Sequence, residues 1–196
     1  MEKKHYIIGI VGPIAAGKQV VADYLVKKYG FIEFSLSTVI HLELEKRGVK
    51  DLSRTVLQDV GNELRSKYGC DILARKAIEI FNHQKRSTII SGIRNLAEIK
   101  YLKKNPNFVL IAVLADKKIR FKRLLLRAKP WDPKTYKKFL KINDRDLGIG
   151  EVNTGQQVAL CIDEADYKIN NNTNLEKLYL KIEKMLQQMK KSGFKF

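Results

Sequence analysis

Residues 7–26 read Ile-Ile-Gly-Ile-Val-Gly-Pro-Ile-Ala-Ala-Gly-Lys-Gln-Val-Val-Ala-Asp-Tyr-Leu-Val, and the rest of the chain is organised around them. An apolar run from Ile7 to Val11 ends at Gly12, and Gly17-Lys18 follows after four intervening residues. Val20, Val21, Tyr24 and Leu25 then recur at helical spacing. A strand, a glycine-bounded loop and a helix form the context in which G-x-x-x-x-G-K reads as a phosphate-binding loop. The glycines let backbone N–H groups turn toward phosphate oxygens, the helix N-terminus adds its dipole, and Lys18 adds a full charge. The last motif position is ordinarily Ser or Thr, whose hydroxyl sits on Mg²⁺. Here it is Gln19.

The chain has 196 residues, 44% of them hydrophobic, which suits a single domain over residues 1–196 with a core large enough to fold alone. Cys70 and Cys161 have neither metal-ligand nor redox spacing, and such a pair fits a reducing, cytoplasmic setting. Glu2-Lys-Lys-His5 and the short apolar run after it do not read as a signal peptide. No apolar stretch approaches the length of a membrane span. The net charge of +17 suits nucleic acid, a membrane surface or a small polyanion, so its distribution decides.

Downstream, Phe31–Ser35 reads as a second strand, and Ser37 as the cap of a helix through Val39, Ile40, Leu42 and Leu44. Helical patterns follow from Ser53 or Arg54 and over residues 71–82. Ser87–Ser91 is a strand by its β-branched content, and Gly92-Ile-Arg94 leaves it into a helix ending near Pro106. Phe108–Leu114 is apolar throughout, as a central parallel strand should be. Residues 117–128 and 134–146 read as helices on either side of Pro130-Trp-Asp-Pro133. Gly148–Gly155 is a loop, Ala165–Asn170 a last strand, and Leu175 to Met189 a helix with a clear apolar face, leaving 190–196 as a loose tail. Five strands, each followed by helical sequence, predict a three-layer α/β/α fold with a five-stranded parallel sheet. Ligands in such folds sit at the carboxyl ends of strands, which gathers Gly12–Lys18, Ser35–Thr38, Ser91–Asn95 and Ala115–Lys117.

Phosphoryl transfer needs positive charge over the transferring group and a metal. Arg120, Arg123 and Arg127 fall on one helix face, and from Lys117 to Arg145 only Asp132 and Asp144 are acidic. This strip reads as a cationic cover closing on phosphates, against the alternatives of a solvated basic helix or a nucleic-acid stripe. Arg94, leaving a buried strand after Gly92, suits a phosphate or carboxylate clamp. Arg54 and Arg65 flank a helix that suits a second substrate. His5, His41 and His83 are scattered and receive no role. Asp71 and Asp166 read equally as caps or ligands. The strand before Gly92 ends in Ser91 where a magnesium-orienting carboxylate would stand, so no protein metal ligand is assigned.

The chain resembles the P-loop nucleoside-monophosphate kinase superfamily, in the branch of adenylate kinases and dephospho-coenzyme A kinases. The resemblance rests on Gly12–Lys18, Phe34-Ser-Leu-Ser37, Gly61-Asn-Glu-Leu-Arg65, Ile90-Ser-Gly-Ile-Arg94, Arg120–Arg127 with Arg145, and Ala165-Asp-Tyr-Lys-Ile-Asn170. It departs in having Ser35-Leu-Ser37 where dephospho-coenzyme A kinases show Asp-x-Asp. It also lacks the zinc-ligand signature of the deaminase modules to which similar domains are fused.

The resemblance implies an ATP-dependent kinase acting on a nucleotide-like small molecule, a (deoxy)nucleoside monophosphate first and dephospho-coenzyme A second. ATP would lie on Gly12, Pro13, Ile14, Ala15, Ala16, Gly17, Lys18, Gln19 and Val20, with Asn170 near the adenine. Mg²⁺ would be held mainly through the nucleotide. Lys18, Arg123, Arg127 and Arg145 would be catalytic. Ser37, Arg65 and Arg94 would bind the acceptor within a helical segment over about 36–83, under an arginine-rich lid over about 117–146. A hydroxyl acceptor would want a base, for which Asp59 and Glu98 are the candidates. Two other readings stand beside this one: a nucleotide-binding regulatory domain with weakened catalysis, and a nucleic-acid-binding protein of kinase-like fold.

Overall fold

The computed structural model describes residues 5–81 and 86–194. His83 and the end of the helical stretch expected over 71–82 lie outside the described residues. β1 (Ile7–Val11) runs through the middle of a five-stranded sheet, and every residue of it is buried. β2 (Ile32–Ser35), β3 (Thr88–Ser91), β4 (Phe108–Leu114) and β5 (Tyr167–Asn170) complete the order β2-β3-β1-β4-β5, all pairings parallel. The strand order reverses direction at β1, between β3 and β4, so a crevice opens beyond its carboxyl end. The expected five-stranded parallel sheet is the one observed.

Strand alternation divides the core into two layers. Ile8, Ile10, Ile89, Val109, Ile111 and Val113 face one side, against α1 (Lys18–Tyr29) and α9 (Leu175–Lys191). Ile7, Val11, Ile90, Leu110 and Ala112 face the other, under α2 (Leu36–Lys46), α3 (Arg54–Tyr68), α4 (Ile72–Phe81) and α5 (Leu96–Leu102). That second layer also includes α8 (Val158–Asp163), whose Val158 and Cys161 are buried. This short helix was not anticipated, because its six residues span under two turns and carry no readable period.

Side-chain caps fix the helix starts on the ligand side. Ser35, rather than Ser37, caps α2, and Asn95 forms a capping box with Glu98 at α5. α6 (Lys117–Arg127) and α7 (Tyr136–Leu147) form the basic segment. A small separate cluster of Ile14, Leu124 and Phe139 packs both helices onto the phosphate loop. The expected loose tail is overturned over part of its length. Lys190 and Lys191 belong to α9, and Phe194 packs on Tyr6 with ring centroids 5.2 Å apart. Among the described residues, no helix is long and apolar enough to cross a membrane.

Candidate active site

The phosphate loop is fixed by close backbone contacts. A Cβ on Gly12, whose φ is +146°, would fall 2.1 Å from the Val113 carbonyl oxygen. One on Gly17, at φ +102°, would fall 2.2 Å from Asn171 Nδ2. Both positions therefore exclude any side chain, for space as well as for conformation. Asn171 closes the loop from below: its Nδ2 donates to the Ala16 carbonyl at 2.8 Å, and it is 4% exposed. Arg123 braces the same place, donating to the carbonyls of Asn171 at 2.8 Å and Ala16 at 3.3 Å.

Above the loop is a cavity of about 400 Å³. Its walls are residues 14–20, Ser35, Ser37, Arg54, Ser91, Gly92, Arg94, Arg123 and Arg127. Five segments converge here: three of the expected strand-end loops, plus Arg54 of α3 and Arg123 and Arg127 of α6, while the expected Ala115–Lys117 does not line the cavity. Lys18 bends back over the loop and donates to the carbonyls of Gly12 at 2.6 Å and Pro13 at 3.0 Å. Burial lowers its pKa to about 7, with Asp146 opposing the shift and Arg94, Arg54 and Arg120 adding to it.

Asp146, on α7 and 1% exposed, was not foreseen. Arg94 and Arg54 both donate to its Oδ1, Arg54 at 3.2 Å, while Oδ2 has no hydrogen-bond partner among the described residues. Burial would raise its pKa, but Arg94, Arg54 and Lys18 outweigh burial and hold it below the ordinary carboxylate range. One carboxylate thus sits beneath three cations of the cavity.

Several expected residues lie elsewhere. Arg65 is 2% exposed and donates through Nε and Nη2 to Glu98 Oε1 at 3.0 and 2.9 Å; it braces the scaffold and lines, not the phosphate cavity, but a small cavity of about 60 Å³ beside it. Arg145 is paired with Asp59 at 2.7 Å and Glu151 at 3.1 Å, and lines a neighbouring cavity. These pairings also engage Asp59 and Glu98, the two candidate bases. Asn170 is exposed and its carbonyl accepts from Lys181, so the residue touching the loop is its neighbour Asn171. Arg120 is buried and donates to the Ile14 carbonyl at 3.1 Å and Asn143 Oδ1 at 2.8 Å, which fixes the base of the basic segment. Arg127 lines the cavity and is held by both oxygens of Asp132. Ser37 and Arg94 line the cavity. Asp166 is neither a helix cap nor placed in the cavity: it receives the Leu110 N–H at 2.8 Å where β4 meets β5.

Gln19 and Ser91 meet at Glu33 on β2. Gln19 Nε2 donates to Glu33 Oε2 at 2.7 Å and to Asp23 at 3.1 Å, and Ser91 Oγ donates to Glu33 Oε1 at 2.8 Å. Both partners of the Gln19 amide are carboxylates, which only accept when ionised, so its nitrogen must face them and Oε1 is the free acceptor. Among the described residues no group of three or more His, Cys, Asp or Glu could hold a metal by itself. The oxygens present suit a magnesium ion that keeps its waters and its nucleotide.

This fold is that of the P-loop kinases. At TM-score 0.57 the chain is similar to shikimate kinase from Acinetobacter baumannii, solved with shikimate, with 15% identity over 98% of this chain and 97% of that one. The Thermus thermophilus protein TT1252 aligns at TM-score 0.63 and 19% identity, over 95% and 98% of the two chains. A Janibacter sugar kinase aligns at 0.52 and 13%, covering 95% of each chain. No family model matches the sequence.

The chain belongs to the UPF0200 family. It is 30% identical over 177 residues to the UPF0200 protein of Staphylothermus marinus, covering 90% of this chain and 88% of that protein. It is 31% identical over 189 residues to UPF0200 protein MJ1399 of Methanocaldococcus jannaschii, covering 93% and 90%.

Proposed function

We propose that this protein transfers the terminal phosphoryl group of ATP to a nucleotide-like small molecule, with a (deoxy)nucleoside monophosphate as the first acceptor to test. The observation that carries this reading is one cavity holding Lys18 on a phosphate loop together with Arg54, Arg94, Arg123 and Arg127. The loop amides and Lys18 bind the β- and γ-phosphates. Arg123 and Arg127, held by Asn171 and Asp132, present preorganised charge where the transferring group gains it. Ser37, Arg54 and Arg94 receive the reacting end of the acceptor from the opposite wall. Dephospho-coenzyme A is the second acceptor to test.

Gln19 Oε1, Glu33 and Ser91 are the groups that would hold Mg²⁺ through its waters, and the ion would supply positive charge to the phosphates. The same trio motivates a second reading, a nucleotide-binding regulatory domain with weak turnover, since an amide and a neighbouring strand's carboxylate replace the usual pair.

Incubating the protein with ATP, Mg²⁺ and each of the nucleoside monophosphates, deoxynucleoside monophosphates and dephospho-coenzyme A, followed by chromatography, tests the reading. A new phosphorylated product, lost in Lys18→Ala, is expected. ATP bound tightly with no product from any acceptor would leave the regulatory reading, and an ATP analogue that binds neither the wild type nor Lys18→Ala would remove both.

A further inference from the structure

A cavity of about 630 Å³ lies beside the phosphate cavity, between α3 and the α6–α7 segment. Its volume is in the range of small-molecule sites. A small cavity of about 60 Å³ shares Ser37, Arg54 and Arg94 with the phosphate cavity and Gln58 with the large one, so the three lie in a row. Gln58 is 7% exposed, and its Nε2 has no hydrogen-bond partner among the described residues. A buried donor left unmatched is costly, and a ligand acceptor atom in the cavity would satisfy it.

The outer wall carries Lys134, Lys138 and Lys141, all exposed. None of the three has a carboxylate partner among the described residues, in contrast to Arg145 in the same wall, which is doubly paired. The one acid of the lining, Asp132, is spent on Arg127. The three lysines are therefore the donors of this wall that no carboxylate among the described residues offsets. Trp131, half exposed, completes it: Lys129 Nζ lies over one side of its ring, 5.4 Å from the centroid, and a planar ring can stack only on the other.

We propose that this cavity binds a phosphorylated aromatic compound of mononucleotide size, the acceptor of the kinase reading, with its ring on Trp131 and its phosphate on Lys134, Lys138 and Lys141, beside the buried amide of Gln58. The proposal rests on the kinase reading for the word acceptor, while the site itself is testable without catalysis. Charge on the lysines supplies the attraction, and the buried amide of Gln58 supplies a directional contact.

Trp131 is the only tryptophan of the chain, so intrinsic fluorescence reports on this cavity. The test is a titration with the four 5′-ribonucleoside monophosphates and their deoxy counterparts, each beside its unphosphorylated nucleoside. At least one nucleotide quenches Trp131, and its nucleoside binds about tenfold more weakly, the size of a lost charge-assisted hydrogen bond. Lys134→Ala/Lys138→Ala/Lys141→Ala weakens the nucleotide by about tenfold or more, while the triple Lys→Arg variant retains it within about threefold. Gln58→Leu, which removes the buried donor without adding charge, weakens the nucleotide by about five- to tenfold, and a fluorescent ATP analogue at the phosphate loop is unaffected by the lysine variants.

Quenching that persists in Lys18→Ala supports this site even if the phosphate-loop reading fails. No quenching by any mononucleotide, equal affinity for nucleoside and nucleotide, or an unweakened triple Ala variant overturns the proposal while leaving ATP binding in place. Quenching by a single-stranded oligonucleotide alone, falling steeply with salt, also overturns it and makes the wall a nucleic-acid surface.

Discussion

Gln19 and Ser91 are joined through a single carboxylate, Glu33, at 2.7 and 2.8 Å. Each departs from the usual kinase residue, and the structure ties the two departures together. A carboxylate on the neighbouring strand stands next to the position where the β3 terminus ordinarily supplies one. The Gln19 amide nitrogen is engaged by Glu33 and Asp23, which leaves its oxygen as an acceptor.

Glu33→Gln removes the charge and frees the Gln19 amide. The expected outcome is an ATP-analogue affinity that loses most of its dependence on Mg²⁺, by about tenfold, as when an outer-shell metal partner is removed. Titration with and without a chelator measures it. A magnesium dependence unchanged from wild type would show that Glu33 has no part in holding the ion.

Ser91→Asp restores the customary acid but sets it against Glu33 in hydrogen-bonding contact, where two carboxylates resist ionising together. The variant is therefore expected to melt about 2–4 °C lower than wild type, the shift of roughly 1 kcal/mol in a domain of this size. Mg²⁺ with ATP should recover the loss. Thermal unfolding with and without the pair checks it, and an undiminished melting point would contradict the repulsion.

The Arg65–Glu98 pair is a scaffold element with consequences for the site. Glu98 Oε1 takes Arg65, and its Oε2 takes the backbone N–H groups of Arg94 at 2.8 Å and Asn95 at 3.1 Å. Arg65→Ala leaves that carboxylate buried without its cation and should cost about 3–5 kcal/mol of stability. Denaturant unfolding measures the loss. ATP-analogue affinity of the remaining folded protein should stay within about twofold, because Arg65 is not among the residues lining the phosphate cavity and the loop amides carry phosphate binding. A large loss of affinity with unchanged stability would return Arg65 to the site.

The sheet and the phosphate loop were legible because both are written in local sequence: apolar runs of strand length, then glycines at a fixed interval. The arginines were legible as a class but not one by one. Period places Arg120, Arg123 and Arg127 on one face of α6, yet only their partners separate Arg120, bound to Ile14, from Arg127, bound to Asp132. Asp146 had a signal that went unread. Phe139, Asn143 and Asp146 share the buried face of α7, and polar residues on an otherwise apolar stripe mark a buried network. Glu33 had none, since its importance comes from the pairing of β2 with β3, which is non-local.

Lys18 gives the site a pH signature. With its pKa lowered from 10.5 to about 7, the folded chain sheds a proton that the unfolded chain keeps until near 10.5. Below pH 7 both states are protonated and the cost of burying the charge is fully present. Between pH 7 and 10.5 the unfolded state binds more protons, so this residue's contribution makes stability rise with pH across that window. Binding runs the other way. A polyphosphate beside Lys18 favours the charged form and raises its pKa, so the complex takes up a proton from solvent above pH 7. Calorimetry at pH 8 in two buffers of different ionisation enthalpy should therefore report uptake approaching one proton per ATP analogue, and affinity should fall from pH 7 to 9. Lys18→Arg keeps a charge that does not titrate there and should abolish the uptake while the protein stays folded. No proton uptake by the wild type, with binding intact, would mean that Lys18 is already charged before the phosphates arrive, and would overturn the depressed pKa.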